Sequence, residues 1–221
     1  MPSKKTGLVE TIKSEQTHEL LANGADALID TLSDSDIVGN IPFVGTVLKT
    51  YQAAQGIRER MLVKKLAKFL EYPSQMTEEE KLKFSSQFED TSKEEEFGEQ
   101  ILVLLEKSED TEKPRIIGRI LVAHARGHFD YSTFMRISKM VNRAFTEDFD
   151  YLKKIEDASQ PSNADIENSL YSSGFLRQKS SEKFVFHQGM PVNTDEGYEL
   201  TDYGQWMIKF GLTTEPIPPS E

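Results

Sequence analysis

The chain has no cysteine. That single absence removes disulfides, thiolate nucleophiles, thiolate zinc sites and iron–sulfur clusters, and it fits a reducing, cytoplasmic compartment. Long apolar runs are missing as well. Nothing approaches the roughly 18 uninterrupted apolar residues of a bilayer crossing, and the opening Met1-Pro2-Ser3-Lys4-Lys5 is not followed by the apolar core of a secretion signal. Also absent are a Gly-rich phosphate loop, a Gly-x-Ser-x-Gly turn and a His-Glu-x-x-His pair, so no residue volunteers as nucleophile, base or metal ligand. His124 and His128 have the four-residue spacing of helix-borne ligands, but Gly127 stands between them and no third ligand follows at recognisable spacing. No catalytic residue, metal, cofactor or small-molecule substrate is expected.

What is present is a folding composition, 221 residues with 37% hydrophobic and 10% aromatic, enough for one sizeable core or two small ones. The charges are sorted into blocks. Residues 1–39 carry 3 Lys/Arg against 7 Asp/Glu, residues 40–72 carry 6 against 2, and residues 73–112 carry 4 against 13. Residues 113–145 reverse the sign with 7 against 1, and residues 146–221 carry 6 against 14, for a net charge of −11. That total opposes non-specific binding of nucleic acid by the whole molecule, while leaving room for a local basic surface. Blocks of opposite sign either fold on one another or recruit charged partners.

Apolar residues recurring at three- and four-residue steps predict an amphipathic helix over 8–33, including Leu20, Leu21, Ala25, Leu28, Ile29 and Leu32. The most apolar stretch, Ile37 to Leu48, follows, and Pro42 is placed to open a helix running to about Leu70. Ile41, Pro42, Phe43 and Val44 are either a buried helix start or a hairpin for a membrane or partner. Further on, Leu62, Val63, Leu66, Phe69 and Leu70 form an apolar face, and Arg60, Lys64 and Lys68 a basic stripe at four-residue spacing. Like charges so placed repel, and Glu78 to Glu80 and Glu94 to Glu96 in the next block are the expected counter-charges, with a phosphate or lipid headgroup as the alternative. Thr77 before Glu80 is a capping-box pattern for a helix carrying Leu82, Phe84 and Phe88. Helices over 97–107 and from Pro114 to Gly127 come next, then one capped by Asp130 or Ser132 that carries Phe134, Ile137, Val141 and Phe145. Arg115, Arg119, Arg136, Lys139 and Arg143 compose a candidate basic surface patch on this helical pair.

Lys113 to Val141 resembles the helix pairs of tellurite-resistance TerB-type domains, although that family's acidic metal positions are missing, since Asp130 is the only acid between Lys113 and Phe145. Ile41-Pro42-Phe43-Val44-Gly45-Thr46, with Lys64-Lys65-Leu66 and Phe69-Leu70, is similar to a group of bacterial helical proteins, a likeness that implies no activity. After a Gln160-to-Asn163 linker come a helix over Ile166 to Ser172, a strand at Phe184 to His187 expected to pair with Tyr198-Glu199-Leu200, and a helix with Trp206, Met207 and Phe210. This order, with Leu200-Thr201-x-x-Gly204, resembles a winged-helix module. The resemblance implies DNA binding, but Asp165, Glu167, Asp195 and Glu196 stand where phosphate would be met.

The expected fold class is therefore mainly α, an N-terminal helical bundle followed by a small α+β winged-helix-like unit. Residues 1–36 form the first helix, 37–146 a bundle with basic helices, 147–212 the α+β unit, held by Phe184, Phe186, Leu200 and a buried Trp206, and 213–221 a flexible tail. The function expected first is that of a non-enzymatic bacterial interaction or regulatory protein docking protein partners or a second copy of itself. The alternatives are a membrane-acting effector, in phage defence for instance, that uses residues 37–70 at the inner membrane, and a DNA-associated regulator that uses residues 113–145.

Overall fold

A computed structural model describes residues 7–30, 41, 43, 57–88, 90–156, 160–179, 184–187, 190–193 and 197–219. The N-terminal periodicity is broken twice, giving α1 (Leu8–Lys13), α2 (Glu15–Leu21) and α3 (Ala25–Asp30) in place of one long helix. Ser14 makes the first break, its hydroxyl accepting the Thr17 N–H at 3.4 Å as an N-cap. Gly24 makes the second, at a φ of 86° that favours glycine. Then follow α4 (Ile57–Leu70), α5 (Glu78–Ser85), α6 (Thr91–Lys107), α7 (Glu112–Ala125) and α8 (Tyr131–Arg143). Local chemistry sets most of these starts. Thr77 and Glu80 close the capping box of α5, Asp90 accepts the Ser92 N–H ahead of α6, and Asp130 accepts the Thr133 N–H at 2.8 Å ahead of α8.

The chain divides into two units, one of residues 1–138 with 216–221 and one of residues 139–215. In the first, α4 packs on α7 through Gly118, where an added Cβ would lie 2.2 Å from the Phe69 carbonyl oxygen. Leu66, Phe69, Leu70, Ile117, Ile120 and Leu121 are fully buried. Two apolar residues that the sequence reading places on helices face outward: Leu82 is 62% exposed and Phe145 is 60% exposed. The end of the chain, expected to be free, has Ile217 buried with the first unit.

The second unit holds the end of α8, α9 (Phe149–Leu152), α10 (Ala164–Ser173), strands β1 (Leu176–Gln178), β2 (Phe184–His187), β3 (Met190–Asn193) and β4 (Tyr198–Leu200), and α11 (Asp202–Trp206). Strand β4 pairs antiparallel with β1, Leu176 opposite Leu200, and not with β2 as expected; β2 pairs with β3, Phe184 opposite Asn193. The reason lies in residues 174–204. Gly174 ends α10 at φ 96°, Thr201 donates through its hydroxyl to the Gly174 carbonyl at 2.9 Å, and its N–H reaches the Phe175 carbonyl at 3.0 Å. Thr201 also caps Gly204, whose missing Cβ would sit 2.3 Å from that same Phe175 oxygen. These contacts pin β4 beside β1. The core here is Leu152, Leu170, Phe175, Met207 and Phe210, with Leu200. Trp206 is only half-buried, edge-on to Tyr203 at 5.8 Å, so it contributes less to the core than the sequence reading gave it. Of Phe184 and Phe186 only the backbone belongs to the described structure.

Gly118→Ala should lower stability by about 2 to 3 kcal/mol through backbone overpacking, even though alanine gains ~1 kcal/mol over glycine in a helix. Urea unfolding should show a lower midpoint with full-length helicity retained; an unchanged midpoint would rule out the close approach at Phe69.

Candidate interaction surfaces

The basic stripe of α4 is divided by burial. Positions 57, 60, 61, 64 and 68 share one helix face. Lys68, at its far end, is 2% exposed and bonds Asp26 of α3, with Glu112 3.8 Å away. Asp26 also accepts from Arg115 at 2.5 Å, and Arg115 in turn reaches Glu71 at 3.1 Å and Glu112 at 2.8 Å. The hydrogen bond from Lys68, with help from Arg115, holds the Asp26 carboxyl below its ordinary pKa. For Arg115, burial works against the charge, and Glu71, Asp26 and Glu112 outweigh it, so the guanidinium stays ionised. Lys68 therefore finds internal counter-charges, though not the ones expected. Glu78 is taken by Lys81 at 3.0 Å and Glu80 by Arg126 at 2.7 Å. Next to the stripe, Lys65 is buried and donates to the Ser108 and Glu106 carbonyls at the end of α6; burial holds its pKa below the ordinary lysine value.

Arg60 and Lys64 remain. Among the described residues neither has an ion pair. Arg60 is exposed and Lys64 half-buried, and they share their face with Ile57, 87% exposed, and Met61, 38% exposed. This is a ridge of two cations and two apolar side chains. Ile41 and Phe43 do not extend it: both are buried, and the Phe43 N–H donates to the Thr11 hydroxyl at 3.0 Å. That places them in the core of the first unit and not on a hairpin for a bilayer or a partner; Pro42 and Val44 lie outside the described residues.

The five-residue patch expected over 113–145 is not one surface. Arg115 belongs to the carboxylate cluster, and Arg119 is 4% exposed with its guanidinium 4.5 Å from the centre of the Tyr72 ring. Burial beside α4 takes both out of the patch. Arg136, Lys139 and Arg143 are exposed along one face of α8. Of these, Lys139 and Arg143 belong to the second unit, one helical turn apart and close in sequence to the exposed Phe145.

His124 is enclosed by aromatic rings, with Phe134 stacked at 6.0 Å, Tyr131 at 5.9 Å and Phe84 at 6.4 Å. Its Nδ1 lies 2.9 Å from the Phe129 carbonyl, which can only accept, so Nδ1 carries the proton and Nε2 is a buried acceptor with no partner. Burial holds its pKa below the ordinary histidine value, and burial with the nearby Glu96 pushes the Tyr131 phenol up to about 12. Among the described residues no group of three His, Asp or Glu side chains is placed to hold a metal ion, and no described helix is long and apolar enough to cross a membrane.

One assembly has no counterpart in the sequence reading. Helix α7 ends in a left-handed turn at Gly127, φ 88°, with the His128 N–H on the Ala123 carbonyl at 3.1 Å and the Gly127 N–H on the His124 carbonyl at 2.8 Å. On either side of that glycine, Arg126 donates to the Ile217 carbonyl, and His128 Nε2 donates to the Pro218 carbonyl at 2.7 Å. The available signal was an isoleucine between prolines, Pro216-Ile217-Pro218-Pro219, in an otherwise polar tail.

Two outcomes test these placements. Lys68→Glu puts a carboxylate beside Asp26 and Glu112 and should cost about 3 to 5 kcal/mol, whereas Lys64→Glu should stay within about 0.5 kcal/mol; equal effects in urea unfolding would contradict the division of the stripe. His124 has a folded pKa below its unfolded value of 6.5, so its contribution is complete above pH 6.5 and is lost as pH falls below that value, when the unfolded chain takes up the proton. Stability should decline by up to about 1.4 kcal/mol per pH unit there, and His124→Phe should remove that part of the slope.

In comparison with known proteins, the chain matches no family model, no curated protein and no solved structure.

Proposed function

We propose that this is a non-enzymatic interaction protein that docks acidic protein surfaces on cationic–apolar ridges, one in each unit. The observation that carries the reading is that Arg60 and Lys64 have no ion pair among the described residues, beside the exposed Ile57 and Met61 on the same face of α4. Further along that helix, Lys65 and Lys68 do find internal acceptors. The second unit repeats the chemistry with Lys139, Arg143 and Phe145. An apolar centre beside charged groups is how protein interfaces are built, where charge sets encounter rate and partner choice and the apolar part sets residence time.

Magnitudes favour a protein over a polyanion. Duplex-binding proteins commonly neutralise about 6 to 10 phosphates, and anionic-lipid segments use about 4 to 8 cations. Each ridge offers two, on a chain whose net charge is −11. The winged-helix-like reading of the second unit supports docking in the same sense: exposed Asp165 lies at the start of α10, and α10 itself contains no lysine or arginine.

Proximity crosslinking in the source cell should recover a partner with an acidic contact surface, and Arg60→Glu with Lys64→Glu should weaken its binding by about tenfold or more. Co-sedimentation with vesicles rich in anionic lipid, or with duplex DNA, should give no binding at moderate salt. Retention on either that is lost in the same double variant would replace the protein partner by a lipid or nucleic-acid one.

A further inference from the structure

The described end of the chain is held in an unusual way. Ile217 is 6% exposed, while Glu215, Pro216, Pro218 and Pro219 around it are all exposed. The carbonyls of Ile217 and Pro218 are both met by side chains, Arg126 and His128. Three of the four residues 216–219 are prolines without N–H groups, so the segment can extend neither a helix nor a sheet ladder, and its backbone is stiff before it docks.

The seat is as fixed as its occupant. Glu80 grips Arg126 with both oxygens, at 2.7 and 3.4 Å, and the same carboxylate accepts the Thr77 N–H at 2.8 Å to complete the capping box of α5. Burial pushes the Glu80 carboxyl up, and Arg126 with the Thr77 N–H more than offsets it, so Glu80 stays an anion. The guanidinium is thus aimed by a helix start, and His128 by the left-handed turn that ends α7. Among the described residues, the seat meets one branched apolar side chain and two successive carbonyls on a proline-framed backbone. A peptide supplies all of that without belonging to this chain.

We propose that this seat is a recognition site for an isoleucine flanked by prolines in an extended segment of a partner protein, and that Pro216–Pro219 is its tethered competitor. The tether gives the tail an effective concentration of about a millimolar, so an external segment gains the seat by exceeding that or by adding contacts beyond the isoleucine. This site is independent of the cationic ridges.

The test uses the full-length chain with Ile217→Asp, which vacates the seat, and a fluorescent peptide Thr-Thr-Glu-Pro-Ile-Pro-Pro-Ser read by anisotropy. The variant should bind the peptide at least about tenfold more tightly than the unaltered chain. Adding Arg126→Gln should weaken that binding by about tenfold or more, and a peptide with aspartate in place of isoleucine should not bind. No binding by a variant whose circular dichroism is unchanged, or binding indifferent to Arg126→Gln, overturns the proposal. If Ile217→Asp does not fold, Pro219→Cys, the sole cysteine of the chain at an exposed position of the seated segment, carries a probe in the otherwise unaltered protein. Millimolar unlabelled peptide should then free the probe, and a probe that stays immobile at that concentration overturns the proposal. A tail-dependent dimer of the unaltered chain would assign the seat to a second copy and overturn the partner.

Discussion

Gly118 against the Phe69 carbonyl is the contact on which the first unit depends. Two helices meet there backbone to backbone, with no side chain between them. Side chains near such a seam cannot stand outward, so the polar ones must be satisfied in place. Arg119 lies over Tyr72, Arg115 gathers Glu71, Asp26 and Glu112, and Lys68 joins the same acids from the other helix. The cations nearest this seam, Lys68, Arg115 and Arg119, are accordingly buried or half-buried and satisfied from within.

The pairing follows space and not chain order. Of the acids that follow the α4 stripe, Glu71 pairs with Arg115, Glu80 with Arg126 and Glu78 with Lys81, while Lys68 of α4 draws on Asp26, 42 residues away along the chain. Buried cations such as Lys65, Lys68 and Lys113 are costly to take from water, and each is found with an oxygen acceptor. Among the described residues, Arg60 and Lys64 of α4 and Lys139 and Arg143 of α8 have no ion pair, which is what makes them informative about partners.

Features governed by neighbouring residues were legible in the sequence. The Thr77–Glu80 box, the Asp130 cap, the glycine at 127 and the Thr201–Gly204 element each depend on hydrogen bonds across three to five residues, and each formed. Features governed by what lies opposite were not legible. Phe145 follows Phe134, Ile137 and Val141 at helical spacing yet faces outward, because period alone does not say whether a neighbour covers the turn. Strand β4 chose β1 over β2 through Thr201 and Gly204, contacts that alternation cannot reveal. Arg119 and Lys68 read as surface charges for the same reason, and the seat for Ile217 joins positions some 90 residues apart.

Because Pro216–Pro219 complete the first unit, that unit is assembled from both sides of the second. Synthesis runs in one direction, so residues 7–138 leave the ribosome long before the segment that fills their seat, and all of residues 139–215 must follow before it arrives. During that interval Arg126 and His128 lack the two carbonyls they meet in the finished chain. Those two hydrogen bonds are thus among the last contacts of the first unit that synthesis allows.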